Sequence, residues 1–252
     1  MIDIHCHLMV GVDDGAEDLD EAKKMIKLAK KEGINEIIVT PHYTSRLKVI
    51  YDNKFEEIQK IALQEGVMLH RGCEYKLQDA LVQKSDLITL GGSDYVLIEI
   101  TQGFLAEYVL NQVYELKLCG YEVIIAHPER SFEKKDIDKL KKLAEMNVYF
   151  QLTAASFIGA FGRQIKKFSE ELLERGLCHF IASDAHNKSS RQFYFQEAKK
   201  YLKDTYNEHW QIDLLFEQNQ KAILNGSGEF TAQRLTRKNF LKRLLGSIGR
   251  YG

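Results

Sequence analysis

The sequence predicts an α/β protein whose parallel strands form a closed or nearly closed barrel. Three observations carry this: seven short apolar segments rich in β-formers, stretches of helical periodicity between them, and a length of 252 residues at 44% hydrophobic content, enough for one large core. Strands that alternate with helices run parallel, because each crossover back to the starting edge carries a helix. No repeat, linker or internal boundary interrupts the pattern before its end, so one domain is expected over residues 1–230, followed by a basic tail over 231–252.

The first strand is expected at Ile2–His5, with Ile2 and Ile4 on one face and His5 and His7 on the other, since strand side chains alternate. Asp18 and Glu21 then make a capping-box pattern, Leu19, Ala22, Ile26 and Ala29 recur at helical spacing, and Gly33 is a natural stop. Strand Glu36–Thr40 is followed by helical spacing around Phe55–Ala62 and a stop at Gly66. Strands Val67–Glu74 and Tyr95–Ile100 precede a helix over Glu107–Leu118, ended by Gly120. Strand Glu122–His127 leads to helix Ile137–Ala144, and strand Val148–Leu152 to helix Phe168–Leu173, with Gly176 after it. The last strand, His179–Ser183, precedes a helix around Phe193–Tyr201.

In such a barrel the chemistry lies at the C-terminal ends of the strands. Those ends read His5 and His7, His42, Glu74, Glu99, His127, then Asp184 and His186. Five of the eight histidines stand there; His70 and His179 lie within strands and read as packing residues, and His209 as a surface residue. Both prolines of the chain flank a histidine of this set: Pro41 precedes His42 and Pro128 follows His127. Proline fixes its own φ and biases its predecessor toward extended geometry, so each is expected to stiffen a strand end where a ligand is aimed. Imidazoles and carboxylates without thiolate suit manganese, iron, zinc or magnesium. The donors outnumber what one ion needs, so several ions would share them, an arrangement that clamps and hydrolyses phosphate esters.

Composition narrows the class further. No run of about 18 apolar residues occurs, and the polar N-terminus lacks the basic and apolar regions of a signal peptide, so a cytoplasmic protein is expected. Cys6, Cys73, Cys119 and Cys178 are scattered without C-x-x-C spacing and read as reduced thiols. The net charge of −1 conceals an asymmetry: residues 231–252 hold six bases and no acid, leaving 29 bases against 36 acids before them. An acidic body argues against a nucleic-acid partner gripped in a basic groove.

The segments "DIHCH", "TPH", "GCEY", "LIEI", "IIAHPER" and "IASDAH", in this order, resemble the polymerase-and-histidinol-phosphatase (PHP) superfamily. "GVDDGA", "HPER" and "QLTAASFIGAFG" are similar to its branch of bacterial protein-tyrosine phosphatases of the capsule and exopolysaccharide type, the CpsB/CapC family, from Met1 to about Asn225. The resemblance implies a distorted (β/α)7 TIM-like barrel, the PHP fold, holding three divalent ions, with Mn2+ the first choice. It implies that His5, His7, Glu74 and Asp184 hold one ion, that Glu74 bridges to a second with Glu99 and His127, and that Asp14, His42 and His186 hold the third. Glu99 stands where many superfamily members use histidine. Asp14 is preferred to Asp13, whose simpler role is to cap the D-D-G turn. Arg130 and Arg191 are assigned to phosphate binding, which suits the planar guanidinium fork, and His42 and Asp184 count with them as catalytic. Glu129 is either a supporting partner or exposed. "HLMVGV" lacks the proline often found before its glycine, and Ala155 replaces a common glycine; both touch loop shape rather than chemistry.

The expected activity is therefore metal-dependent hydrolysis of phosphotyrosine, by a hydroxide attacking phosphorus in line without a cysteinyl intermediate. The resemblance implies as substrate a membrane-associated tyrosine kinase that regulates capsule or exopolysaccharide synthesis. No general acid is identifiable. A cysteine-based phosphatase needs C-x5-R, and no cysteine here has arginine at that spacing. Another PHP phosphoesterase, for histidinol phosphate or nucleic acid, and a non-catalytic metal-binding regulator of the kinase are the alternatives. In the tail, Leu235, Phe240, Leu241, Leu244, Leu245 and Ile248 among the bases fit either a short amphipathic segment touching anionic lipid or a solvated extension weakened by Gly246, Gly249 and Gly252.

Overall fold

A computed structural model of the chain describes residues 1–101, 106–226, 228, 230, 232 and 234–238. Eight strands form two parallel sheets, β1 (Ile2–Cys6), β2 (Glu36–Val39) and β3 (Met68–Arg71) in one, and β4 (Glu74–Lys76), β5 (Tyr95–Glu99), β6 (Glu122–Ala126), β7 (Tyr149–Thr153) and β8 (Phe180–Ala182) in the other, each in sequential order. The main helices between them are α1 (Leu19–Lys31), α2 (Ser45–Glu65), α3 (Leu77–Val82), α4 (Ala106–Leu118), α5 (Pro128–Ser131), α6 (Ile137–Glu145), α7 (Ala154–Ile158), α8 (Arg163–Glu174) and α9 (Phe195–Thr205). None of the described helices is long and apolar enough to cross a membrane.

The alternation along the strands sorts the core. Ile37 and Val39, Val96 and Ile98, Val123 and Ile125 pack with the helices in the larger cluster. Their neighbours Ile38, Leu97 and Ile124 join Ile2, Ile4, Phe180 and Phe230 in a smaller cluster built from both sheets. Both faces of each sheet are thereby covered, as parallel sheets require. Strand β1 departs from strict alternation: its pairing with β2 shifts register between Asp3 and Cys6, and Cys6 joins the helix-facing cluster while Ile2 and Ile4 do not.

The single strand expected over Val67–Glu74 is two, β3 and β4, belonging to different sheets. The break falls at Gly72, where a Cβ would come within 2.6 Å of Ile38 Cγ2. The Tyr51 hydroxyl serves the interrupted backbone there, donating to Gly72 O at 2.7 Å and accepting from Gly72 N at 3.0 Å. Backbone groups that leave the ladder are thus paired without water.

Backbone bonds also join the sheets at two seams. At one, His7 N donates to Ala185 O and Asp184 N to His5 O, both at 2.9 Å. At the other, Tyr43 N donates to Glu74 O at 2.8 Å and Glu74 N to Pro41 O at 3.0 Å. Both seams run through residues of the expected site.

Helix α1 is capped by Asp18, which accepts from Glu21 N at 2.8 Å, although Leu19 at its start is exposed rather than packed. Helix α2 begins well before the expected segment, capped by Thr44, and buries Leu47, Tyr51, Phe55, Ile58 and Ala62 before Gly66 ends it at φ 75°.

Just before the segment expected as a tail, and among its described residues, contacts with the domain occur. Leu235 is buried, Arg237 pairs with Glu170 and Glu174 on α8, and Phe230 packs on Tyr95, Tyr149 and Phe180. Burying a leucine and ion-pairing an arginine against a helix both hold this segment to the domain. Phe240, Leu241, Leu244, Leu245 and Ile248 lie outside the described residues.

Candidate metal centre

All nine expected ligand residues converge. Four groups of donor atoms each gather within 4.8 Å: His7, Asp14, His42 and His186; His5, His7 and Asp184; His5, Glu74 and His127; and His42, Glu74 and Glu99. Glu99 thus joins Glu74 and His42, and His7 is shared between two groups. Of the histidines outside the set, His70 pairs with Glu36 on a neighbouring strand, His179 accepts from Phe150 N at 3.1 Å, and His209 is exposed.

The proton positions at His5 and His7 are decided by their partners. His7 Nδ1 lies 2.7 Å from Asp13 Oδ2 and His5 Nδ1 lies 2.9 Å from Gln151 Oε1; both partners are acceptors, so both Nδ1 atoms carry the hydrogen. In neutral rings the two Nε2 lone pairs then face each other at 3.1 Å. Glu74 Oε2 and Asp184 Oδ1 close on the same point, at 3.1 and 3.3 Å from His5 Nε2 and 3.4 Å each from His7 Nε2. Two lone pairs and two carboxylate oxygens repel unless positive charge, a proton on a ring or a metal ion, lies among them. Glu74 Oε2, His42 Nδ1 and His186 Nε2 are in addition buried without a hydrogen bond. The donor set fits divalent ions bound through neutral imidazole and carboxylate.

Asp13 and Asp14 divide their work. Asp14 is exposed, with Oδ1 3.3 Å from His186 Nε2 and 3.6 Å from His42 Nε2. Asp13 is buried beneath, where one carboxylate takes His7 Nδ1, His42 N at 2.9 Å and Gly15 N at 3.0 Å. A Cβ on Gly15 would stand 2.3 Å from His7 O, which explains the glycine of the D-D-G turn. Asp13 therefore does more than cap a turn, and Gln151 was not singled out by sequence reasoning. The capping signal accounts for Asp13; nothing local marks Gln151, which lies 146 residues from its partner.

Glu129 is buried, accepting from Thr153 N at 2.9 Å and Ser156 Oγ at 2.7 Å, and so ties "HPER" to "TAAS". Next to it, Arg130 Nη2 reaches Asp184 Oδ2 at 2.6 Å and its guanidinium lies 5.2 Å from the Phe161 ring centre. Arg191 Nη2 meets the same oxygen at 2.9 Å and its Nη1 meets Asp14 Oδ2 at 3.4 Å. Arg191 is held in a compact loop, His186 N and Asn187 N both donating to its carbonyl. Asp14, Arg130, Asp184 and Arg191 line a cleft of about 450 Å³ with His42, Glu74, Glu99 and His127.

His127 does not take the extended conformation expected before Pro128. It sits at φ 33°, ψ 54°, in the left-handed region, as the residue capping α5, whose first position is the proline. Proline disfavours the right-handed helical conformation before it; the sharp turn from β6 into α5 is made on the left-handed side instead. Asp184 has φ 51°, so two of the nine residues hold a backbone that L-residues rarely adopt, the kind of strain that gathers at functional sites.

Charge perturbations follow the geometry. Burial opposes the Glu74 and Asp184 carboxylates, but the facing imidazoles, with Arg130 at Asp184, outweigh it and hold both well below the usual range. Burial likewise opposes the His7 cation, yet Asp13, Asp184 and Glu74 raise it well above the ordinary value. Asp13 is lowered to about 2 against its own burial, chiefly by His7. His186 is pushed down to about 3 by burial and by the charge of His7.

Residues 1–225 match the family model for capsular polysaccharide synthesis, CpsB/CapC. The chain belongs to the CpsB/CapC family. That match spans all nine convergent residues and both arginines. Among CpsB/CapC relatives, it is 34% identical to the tyrosine-protein phosphatase YwqE of Bacillus subtilis over 91% of this chain and 94% of that one. It is 32% identical to the putative tyrosine-protein phosphatase CapC of Staphylococcus aureus, over 94% of each chain. The fold superimposes with a TM-score of 0.81, at 31% identity over 94% of this chain and 99% of the other, on a solved structure from work on YwqE of Bacillus subtilis and CpsB of Streptococcus pneumoniae, described as unique metal-dependent tyrosine phosphatases.

Proposed function

We propose that this CpsB/CapC chain is a metal-dependent protein-tyrosine phosphatase. The observation that carries the reading is the meeting of His5 Nε2 and His7 Nε2, 3.1 Å apart, with Glu74 Oε2 and Asp184 Oδ1, each 3.1 to 3.4 Å from both rings. His5, His7, Glu74 and Asp184 would hold one ion, Glu74 with Glu99 and His127 a second, and Asp14, His42 and His186 a third, with Mn2+ favoured by the hard donors. Ions held there would supply Lewis acidity toward the phosphoryl oxygens and an activated water for in-line attack.

The chain's own residues supply the rest. Asp13 and Gln151 hold the His7 and His5 rings with Nε2 facing Glu74 and Asp184. Arg130 and Arg191, whose forks share Asp184 Oδ2, are placed to meet the equatorial oxygens of a phosphoryl group, where charge accumulates during transfer. Three of the four thiols, Cys6, Cys73 and Cys178, are buried, and burial pushes each well above its ordinary value; Cys119 is exposed but is not among the residues lining the cleft. The relatives' names support a phosphotyrosine protein as substrate, and the family's role in capsular polysaccharide synthesis supports a tyrosine kinase of that process.

We also read the two sheets as one distorted (β/α) barrel, which the backbone bonds at the two seams support. The folding unit takes in described residues as far as Arg237, which pairs with α8, and the unpaired cysteines support a reducing, cytoplasmic setting. The test is elemental analysis of the purified protein together with phosphotyrosine-peptide hydrolysis before chelation, after chelation and after metal re-addition. Full activity in demonstrably metal-free protein would overturn the reading.

A further inference from the structure

The cleft has two unlike ends. One is walled by Arg130, Arg191 and Asp184. The other, about 530 Å³, is walled by Val12, Tyr43, Thr44, Lys76 and Asp79, and the two share Asp14, His42, Glu74, Glu99 and Thr101 as a common floor. Imidazoles aside, Tyr43 is the one aromatic side chain lining either end among the described residues.

Tyr43 is held before any ligand arrives. Its backbone N–H donates to Glu74 O at 2.8 Å, at the seam between the sheets, and its neighbour His42 belongs to the convergent set. Its ring lies on that of Tyr75, centres 4.9 Å apart and planes 25° from parallel. Tyr75 is itself fully buried, and its hydroxyl accepts from Ile88 N at 2.9 Å, so the ring beneath Tyr43 is anchored at both ends. Tyr43 is only half-buried, which leaves ring surface for a visitor.

The geometry points to Tyr43 as an aryl platform, the specificity-determining residue on which the phenyl ring of a phosphotyrosine lies while its phosphoryl group occupies the guanidinium end. This rests on the phosphatase reading and assigns the opposite end of the same trough. The phosphoryl group, being anionic, is drawn to Arg130 and Arg191. The ester oxygen and ring must then leave that end, and across the shared floor the surface that suits a ring is another ring with an exposed face. A phosphoserine or phosphothreonine side chain brings no ring and gains nothing there. The platform therefore discriminates between aryl and alkyl esters without touching the reacting atoms.

The test compares the metal-loaded protein with its Tyr43→Ala and Tyr43→Phe variants on a phosphotyrosine peptide, a phosphoserine peptide of the same flanks, and inorganic phosphate as a competitive inhibitor. Losing one stacked ring contact is expected to lower kcat/KM for the phosphotyrosine peptide roughly three- to tenfold in Tyr43→Ala. Tyr43→Phe keeps the ring and should keep the rate. The inhibition constant for phosphate, the metal content and the slow phosphoserine rate should not move, because none of them involves the platform. Equal losses on both peptides, a weakened phosphate inhibition, or no loss at all would overturn the assignment. So would a loss in Phe161→Ala with none in Tyr43→Ala, which would put the ring beside Arg130 instead. If the unaltered metal-loaded protein hydrolyses no aryl phosphate, the phosphatase reading fails and this one with it; failure at Tyr43 alone leaves that reading intact.

Discussion

His7 donates its Nδ1 hydrogen to Asp13 at 2.7 Å, and the same carboxylate oxygen receives the backbone N–H of His42 at 2.9 Å. One aspartate thus orients a ring at one seam of the sheets and the backbone of a second ligand candidate at the other. Partners of this kind commonly hold about 10- to 100-fold of metal affinity. Asp13→Ala is expected to weaken metal binding by that order in a chelator-competition titration, with the fold retained by circular dichroism. Unchanged affinity would show that His7 needs no such support.

Arg130 has a different expected signature. It meets Asp184 but belongs to none of the four donor groups. Arg130→Ala should leave metal content nearly intact and cut turnover on the order of 10²-fold, the scale for removing one donor to a charged transition state. Elemental analysis beside steady-state kinetics separates the outcomes; loss of metal with loss of rate would make Arg130 structural.

His179 predicts an acid sensitivity remote from the cleft. Burial pushes it down to about 3, so the folded protein keeps it neutral while an unfolded chain protonates it below about 6.5. Stability linked to this residue is therefore complete above that value and declines as pH falls toward 3. Between pH 7 and 5 the contribution lost is roughly 2 kcal/mol. His179→Gln can still accept from Phe150 N, and its urea midpoint, measured on chelated protein, should fall less steeply with acid than that of the unaltered chain. Parallel curves would refute the linkage.

Two truncations read the C-terminal segment. Ending the chain after Glu229 removes Phe230, Leu235 and Arg237, and with Phe230 alone worth about 3–5 kcal/mol, Tm should fall on the order of 10 °C. Ending it after Lys238 should leave Tm and hydrolysis of a small aryl phosphate unchanged while weakening co-sedimentation with anionic vesicles. Undiminished sedimentation would remove the lipid-touching reading of the tail.

The convergent residues were legible because chemistry in a parallel α/β fold is placed by strand order, and the strand ends could be found from apolar alternation. Their supports were less so. Gln151 reads as an ordinary strand residue until the seam after β8 brings β7 within side-chain reach of β1, and Glu129 looks like a surface charge until α5 brings it under α7. The break at Gly72 depends on contact with Ile38 and on a hydroxyl from Tyr51, neither visible in a window around the glycine. The opening turns of α2 were missed because Val49 and Ile50 blur the stripe of Leu47, Tyr51 and Phe55. His127 was misjudged because proline limits its neighbour without choosing among what is left.

The seam at which Asp184 N bonds His5 O joins residues 179 positions apart, and it also brings together donors from the first and last strands. A ribosome making about 5–20 residues per second takes roughly 10–35 s to pass from His7 to His186. During that interval the earliest donors emerge with nothing to share. Two of the donor groups are complete in sequence once His127 has been made, but the two that need Asp184 or His186 exist only after nearly all of the domain has been synthesised. The full set of donors is consequently offered to ions by the finished protein and not during its synthesis.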